Sequence, residues 1–181
     1  CNGNTFPKRE FIKESVNNAM KIIISPAKKM NIDTDTFPAR KMPEFIEDTR
    51  VLMQAVKALT YAQAKELWKC NDKLAGLNYE RFQNMNPEKA LTPAVISYEG
   101  LQYQHMAPAV FTADALSYIE EHLRILSGFY GLLRPFDGVV PYRLEMQAGL
   151  SVNGCRNLYE FWNNRLYQST PDEDRVIVNL A

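Results

Sequence analysis

The sequence predicts a single mixed α/β (α+β) domain in which a mixed sheet is flanked by helices. With 181 residues, of which 46% are hydrophobic and 23% charged, the chain can bury one sizeable core and has the composition of an ordinary globular domain. Its apolar residues switch repeatedly between the spacing of a strand and that of a helix, which is typical of α/β folds. Neither an internal repeat nor a Ser/Gly-rich linker divides the sequence.

The first half of the chain begins with a strand, continues with helices and returns to a strand. Residues 21–25 form an apolar run with the length of a buried strand. A helix is then predicted from the spacing of Phe45, Thr49, Leu52, Val56 and Leu59. Thr60 and Gln63 match a capping box that begins a second helix, and Asn71 caps a third. Residues 94–98 are predicted to be a strand.

The second half is predicted to contain two helices and a terminal strand. Thr112 would cap a long helix that ends at Gly128. The core face of that helix would consist of Leu116, Ile119, Leu123 and Leu126. A last helix is predicted from the spacing of Leu158, Phe161, Trp162 and Leu166. Residues 175–181 then have the apolar pattern of a buried strand.

The two ends of the chain differ from the part between them. Residues 1–19 are polar and lack the apolar core of a signal peptide, so we interpret them as an extension outside the domain and Met20 as the natural start. Chains rarely stop on a buried strand, so a C-terminal part of the fold is predicted to be missing. The domain is therefore assigned to residues 20–181.

Composition argues against several classes of protein. The 21 Lys and Arg residues balance 21 Asp and Glu residues, so recognition of phosphate has to be local. Three widely spaced cysteines favour reduced thiols in the cytoplasm over a disulfide framework. The apolar runs are too short to span a membrane. His105 and His122 have no partners at metal-ligand spacing, so neither a metal nor a cofactor is expected.

The first candidate site residues follow the opening strand. Ser25 and Lys28 lie at its carboxyl end, where open α/β sheets usually bind ligands. A hydroxyl, the amides of a proline-fixed turn and ammonium groups could hold a phosphate or carboxylate, although the glycines of a Walker loop are absent. An ordinary turn with solvated lysines is the alternative. Asp72 and Lys73 begin a later helix, where Lys73 could reach an anion, but helix capping explains both residues.

The densest group of candidates surrounds two glycines three residues apart. Ser127, Gly128 and Gly131 would follow the predicted long helix. Such a turn can present backbone N–H groups to a phosphate, as helix-hairpin-helix modules do on DNA, and Arg134 and Arg143 add positive charge. The alternative is a helix stop followed by a tight turn, without a ligand.

Arg143 and Glu145 would share one face if their stretch is a strand, because side chains two apart point the same way. Arg143 could then clamp an anion while Glu145 acts as an acid or base, with Asp72 as the second catalytic candidate. A structural ion pair between Arg143 and Glu145 is the alternative.

Four motifs, read together, resemble the YaaA family of peroxide-stress proteins. They are KIIISPAK at residues 21–28, DKLAGLN at 72–78, LRILSGFYGLLRP at 123–135 and PYRLEM at 141–146. The resemblance implies a cytoplasmic bacterial protein that limits reactive iron during peroxide stress. It also implies DNA binding through a helix-hairpin-helix-like element at residues 127–134, helped by Arg143, Lys28 and Lys73, and a family fold that continues beyond this chain.

Two functional hypotheses follow. The first is a protective protein that binds double-stranded DNA, while protein partners stay undetermined. The second is an enzyme that acts on a nucleotide or nucleobase in a cleft lined by Ser25, Lys28, Asp72, Lys73, Arg143 and Glu145. Convergence of these side chains in space would favour a shared site, and their dispersal would favour local caps and ion pairs.

Overall fold

A computed structural model describes residues 20–89, 91–170 and 176–181. The extension predicted at residues 1–19 lies outside the described residues. The elements run β1 (Lys21–Ile24), β2 (Lys29–Met30), α1 (Ile46–Lys57), α2 (Tyr61–Trp68), α3 (Asp72–Gln83), β3 (Thr92–Pro93), α4 (Ala94–Ser97), β4 (Tyr98–Glu99) and α5 (Leu101–Met106). They continue with a 3₁₀ turn (Pro108–Val110), α6 (Ala113–His122), β5 (Leu123–Ser127), β6 (Gly131–Leu133), β7 (Gly138–Val139), α7 (Leu158–Trp162), α8 (Arg165–Gln168) and β8 (Ile177–Leu180).

A four-stranded mixed sheet with the order β6-β5-β1-β8 organises the fold and confirms the predicted class. β1 runs parallel to both neighbours, with Ile22 opposite Leu123 on one side and Val178 on the other. β6 returns antiparallel to β5, with Leu133 opposite Ile125. The carboxyl ends of β1, β5 and β8 therefore lie at one edge of the sheet, and the return of β6 leads to the opposite edge. Two-stranded pairs β2-β4 and β3-β7 complete the strands.

The three predicted helices of the first half are confirmed as α1, α2 and α3. Thr60 and Gln63 form the expected capping box at the start of α2, and the Asn71 side chain accepts the backbone N–H of Leu74 at the start of α3. α1 buries Leu52 and Val56 in the core. These helices form where local caps and an apolar face coincide, which is why their pattern is legible in the sequence.

The strand predicted at residues 94–98 is wrong, because Ala94–Ser97 is a single turn of helix between β3 and β4. The backbone N–H groups of Ala94 and Val95 donate to the carbonyls of Asp137 and Pro135. Ala94, Val95 and Ser97 are fully buried. A short segment surrounded by protein has no polar face, so its periodicity does not distinguish a helix from a strand.

The long helix predicted from Thr112 to Gly128 is also wrong in its second half. Thr112 caps α6 as expected, but the helix ends at His122 and residues 123–127 form β5. The reason is the neighbouring strand β1, because residues 123–127 pair with it in parallel, with Arg124 opposite Ile23. β5 is buried on both faces, and such strands show continuous apolar runs that resemble a buried helix.

The glycines that were expected after a helix lie instead in a β-hairpin between β5 and β6. In the described residues this stretch is therefore not a helix-hairpin-helix element. Gly128 is needed because a Cβ atom there would lie 2.6 Å from the backbone nitrogen of Met146. Gly131 has a φ of +75°, which favours glycine. The close approach at Gly128 brings the loop at residues 144–146 against the end of β5.

The C-terminal helix is confirmed in its buried face and divided in its length. Leu158, Phe161 and Trp162 are buried in α7, and Leu166 is buried in α8. Asn163 separates the two helices with a φ of 46°. The terminal strand is present as β8, but at the edge of the sheet, where Leu180 is 58% exposed. None of the helices in the described part of the chain is both long and apolar enough to cross a membrane.

Candidate anion-binding cleft

A cleft of 510 Å³ lies at the carboxyl edge of the sheet, and we call it the main cleft. Its walls come from the loop after β1, the end of β5, the segment after Pro141 and α7. The lining residues that matter below are Ser25, Lys28, Arg143, Glu145, Met146 and Tyr159. A concavity therefore lies at the end of the opening strand, with a volume in the range of small-molecule sites.

Buried tyrosines hold both walls of the main cleft. Tyr103 donates its hydroxyl to the Ser25 carbonyl at 2.9 Å. The Tyr142 hydroxyl is 2.6 Å from Ser127 Oγ and 2.9 Å from the Tyr98 hydroxyl. Burial raises the pKa of Tyr142 to about 12, so this network stays protonated at neutral pH. These hydrogen bonds hold the backbone in place and so fix the positions from which the side chains of Arg143 and Glu145 extend.

Arg143 occupies the wall of the main cleft with its side chain only 11% exposed. Tyr142 and Leu144 on either side of it are buried in the core, so the chain alternates like a strand, although it pairs with no strand of the described ranges. The Arg143 Nε atom is buried without a hydrogen-bond partner among the described residues. Its nearest carboxylate oxygen, Glu145 Oε1, is 3.7 Å from Nη2, beyond ordinary hydrogen-bond distance.

Glu145 lies between two cations. The same oxygen atom, Oε1, is 3.1 Å from Lys28 Nζ and 3.7 Å from Arg143 Nη2. Lys28 is 64% exposed, so this pair alone contributes little to stability. We call Lys28, Arg143 and Glu145 the carboxyl-edge cluster. It carries two positive charges and one negative charge, which leaves a local positive excess in a protein with no net charge.

A second cavity of 190 Å³ adjoins the main cleft through the carboxyl-edge cluster, and we call it the side cavity. Its other walls are Leu67, Trp68, Lys69, Gln147 and Ala148. Sequence reasoning missed Trp68 and Lys69. Trp68 belongs to the apolar face of α2, and Lys69, whose backbone has the left-handed conformation, ends the helix. Only the tertiary packing of α2 beside Arg143 brings them to the site.

The chain matches the family model of the peroxide stress protein YaaA over residues 20–181. The chain belongs to the YaaA family. A UPF0246 protein of Pediococcus pentosaceus is 57% identical over 162 residues, which cover 90% of this chain and 64% of that relative. A UPF0246 protein of Lactiplantibacillus plantarum is also 57% identical over 162 residues, covering 90% of this chain and 65% of the relative. The chain thus spans less than two thirds of the length of these relatives.

The two glycines of the motif at residues 123–135 have a structural role in this fold. Ser127 is fully buried, and its Oγ accepts the backbone N–H groups of Phe129 and Tyr130. Gly131 packs in the core, where an added Cβ would lie 3.0 Å from both Leu166 and Phe45. Gly128 lines the main cleft with its backbone. The hairpin thus forms part of the wall of the main cleft, and the hydroxyl of Ser127 is already hydrogen-bonded within the protein.

Arg134 does not join the main cleft. Because β6 returns antiparallel to β5, Arg134 emerges at the amino edge of the sheet, where its guanidinium lies 3.6 Å from Glu44. Its backbone N–H donates to Asp137 Oδ2 at 2.8 Å. Burial raises the pKa of Asp137 to about 6, although that hydrogen bond and the charges of Arg134 and Arg124 lower it.

Asp72 and Lys73 also lie away from the main cleft and the side cavity, at the start of α3. Asp72 pairs with Lys65 at 2.7 Å and receives a hydrogen bond from the Tyr61 hydroxyl. The hydrogen bond from Lys65 lowers the pKa of Asp72. Lys73 is exposed. Of the six residues predicted to converge, the structure brings together Ser25, Lys28, Arg143 and Glu145.

The two histidines lie apart from this cleft. His122 Nδ1 is 2.7 Å from the Met20 carbonyl, and its ring packs 4.3 Å from that of Tyr118. Among the described residues, no group of three His, Cys, Asp or Glu side chains is placed to hold a metal ion. Cys70 and Cys155 are free thiols.

Proposed function

We propose that this YaaA-family protein acts in the cytoplasm during peroxide stress by binding DNA at the main cleft, and that this binding helps to limit iron-dependent oxidative damage. The observation that carries the proposal is Arg143, a nearly buried guanidinium whose Nε–H has no acceptor among the described residues. A buried cation without a hydrogen-bonded anion is unfavourable unless an anion from outside the protein pairs with it. Phosphate is the anion that a planar guanidinium binds best.

Two lysines support the assignment of a nucleic-acid ligand. Lys28 and Lys69 are exposed and line the same side cavity as Arg143. Three cations around one acid provide a local positive potential, which neutral overall charge would not supply. Phosphate contacts of this kind position a protein on DNA without reading its sequence. The free thiols of Cys70 and Cys155 are consistent with the reducing cytoplasm.

The test is the salt dependence of duplex DNA binding, measured by fluorescence anisotropy on the purified protein. Log affinity should fall linearly with log salt, and Arg143→Met should lower the magnitude of the slope by about 1. Arg134→Ala is the matched control, since it removes an arginine from the other edge of the sheet. If the two variants change the slope equally, or if wild-type binding does not depend on salt, duplex contact at the main cleft is wrong.

A second candidate function is an enzyme that acts on a nucleotide or nucleobase. Glu145 favours it, because this half-buried carboxylate faces the main cleft between two cations. A carboxylate in such a position can accept a proton from a bound substrate. Asp72, the other catalytic candidate, does not line the main cleft and is paired with Lys65, so it does not share that role. The variant Glu145→Gln separates this function from anion binding.

A further inference from the structure

Two buried side-chain nitrogens lack a hydrogen-bond partner in the part of the chain that the structure describes. They are Trp68 Nε1 and Arg143 Nε. Both are donors, and both residues line the side cavity. Trp68 is 4% exposed, and its ring stacks on Phe82 with centroids 5.8 Å apart. Proteins keep few buried donors unsatisfied, so two of them on one small cavity indicate a shared purpose.

The same residue types are satisfied elsewhere in this protein. Trp162 is equally buried, and its Nε1–H donates to the Gly128 carbonyl at 3.0 Å. Arg124 is 8% exposed, and its guanidinium donates to the carbonyls of Leu123 and Glu120. The fold can therefore provide acceptors for a buried indole and a buried guanidinium. At the side cavity Glu145 and Gln147 carry acceptor oxygens, but neither bonds to Trp68 Nε1 or Arg143 Nε, and Lys28 and Lys69 add positive charge.

We infer that the side cavity binds the terminal phosphate of a phosphomonoester of the mononucleotide class, with Trp68 and Arg143 as its hydrogen-bond donors. The inference rests on the proposed function only in that both place phosphate at the carboxyl-edge cluster. A monoester phosphate presents three oxygens and up to two negative charges, which suits several donors and three cations. Because Trp68 is only 4% exposed, a group that reaches its N–H enters as a terminal group rather than as part of a duplex backbone.

The neighbouring main cleft suits the rest of such a molecule. Leu126, Met146 and Tyr159 line it together with the carboxyl-edge cluster. Apolar and aromatic walls next to a few placed charges are typical of sites for small organic ligands. Both donor nitrogens are covered by protein, so binding requires a small adjustment at the rim. Lys69 and Gln147 are exposed there, and exposed side chains change rotamer within nanoseconds.

Titration calorimetry with inorganic phosphate and with adenosine monophosphate tests the inference. The wild type should bind both probes, and the nucleotide should bind more tightly. Trp68→Phe keeps an aromatic ring against Phe82 but removes the N–H together with the pyrrole ring, and it should weaken binding of both probes by about tenfold. Loss of these core atoms lowers the melting temperature, but by less than in Trp162→Phe, because the Trp68 N–H is not hydrogen-bonded among the described residues. Arg143→Met should weaken binding further.

Trp162→Phe is the matched control. It removes the same atoms as Trp68→Phe together with an indole N–H that is satisfied by Gly128, so it should lower the melting temperature more than Trp68→Phe does and leave the affinity for both probes unchanged. Unchanged affinity in Trp68→Phe, or no heat of binding for either probe at millimolar concentration, would overturn the inference.

Duplex DNA in a separate anisotropy experiment keeps the two proposals distinguishable. If duplex binds with steep salt dependence while phosphate and the mononucleotide do not bind, the phosphomonoester site is refuted and the proposed function stands. If the mononucleotide binds and duplex does not, the proposed function is refuted and the site stands. Competition between the mononucleotide and duplex would support both at one location.

Discussion

The sheet carries a charged cluster at each edge, and the two differ in how their charges are satisfied. The amino-edge cluster consists of Glu44, Arg124, Arg134 and Asp137. Its buried arginine donates to two backbone carbonyls, and its buried aspartate accepts a backbone N–H. The carboxyl-edge cluster holds an arginine of similar burial whose Nε–H has no partner within residues 20–89, 91–170 and 176–181. Charge that is hydrogen-bonded within the protein serves the fold, and charge that is not is available to a ligand.

Replacement of the two buried arginines should have the largest effect on this comparison. Arg124→Met removes two hydrogen bonds and leaves buried acceptors unpaired, so it should lower the free energy of unfolding by about 3 kcal/mol. Arg143→Met removes a guanidinium whose Nε–H has no acceptor in the described part of the chain, and should change the free energy of unfolding by less than about 1 kcal/mol. Urea denaturation measures both values. Equal losses in the two variants would mean that Arg143 is also a structural residue and would remove the basis of the comparison.

The pH dependence of stability should report on the amino-edge cluster. The pKa of Asp137 is raised from 3.8 to about 6 in the folded protein, so between these values the folded state binds more protons than the unfolded state. The contribution of Asp137 to stability is therefore fully present below pH 4 and is lost as the pH rises through 6. A shift of this size corresponds to at most about 3 kcal/mol.

Asp137→Asn checks this assignment, since asparagine can still accept the N–H of Arg134 and does not titrate. The loss of stability between pH 4 and 6, measured by urea denaturation at a series of pH values, should become smaller in the variant. An unchanged profile would mean that the pH dependence comes from a group other than Asp137. Glu145→Gln, which neutralises an acid at the other edge of the sheet, is the control variant in the same denaturation measurements.

The sequence predicted those parts of the fold whose signals are local. The caps at Thr60 and Asn71 and the apolar face of α1 are each contained within one helix, and all three helices are confirmed. Residues 94–98 and 123–127 were assigned wrongly because they are buried on all sides and thus lack a polar face. Their conformation depends on partners far along the chain, such as Ile23, which pairs with Arg124.

The candidate site was predictable to the same degree. The rule that ligands bind at the carboxyl ends of parallel strands located Ser25 and Lys28, and alternation located Arg143 and Glu145. Arg134 is predicted to join them because the glycine turn that precedes it is expected to follow a helix and bind phosphate, whereas the antiparallel return of β6 carries Arg134 to the other edge. Trp68 and Lys69 had no local signal, since only the packing of α2 against the main cleft gives them a place in the site.

Glu145→Gln should have the smallest effect and distinguishes best between the two candidate functions. Glu145 repels an anion at the carboxyl-edge cluster, so its neutralisation should tighten binding of phosphate by severalfold, roughly 1 kcal/mol or less. Titration calorimetry measures the change, with Asp72→Asn as a control that removes an acid lining neither the main cleft nor the side cavity. If Glu145 is instead a catalytic base, the variant should bind a nucleotide and no longer convert it, which chromatography of the reaction mixture would detect. Tighter binding in Glu145→Gln without any conversion by the wild type would mean that the carboxylate opposes anion binding and is not a catalytic base. The carboxyl-edge cluster would then be an anion-binding site whose own acid limits its affinity.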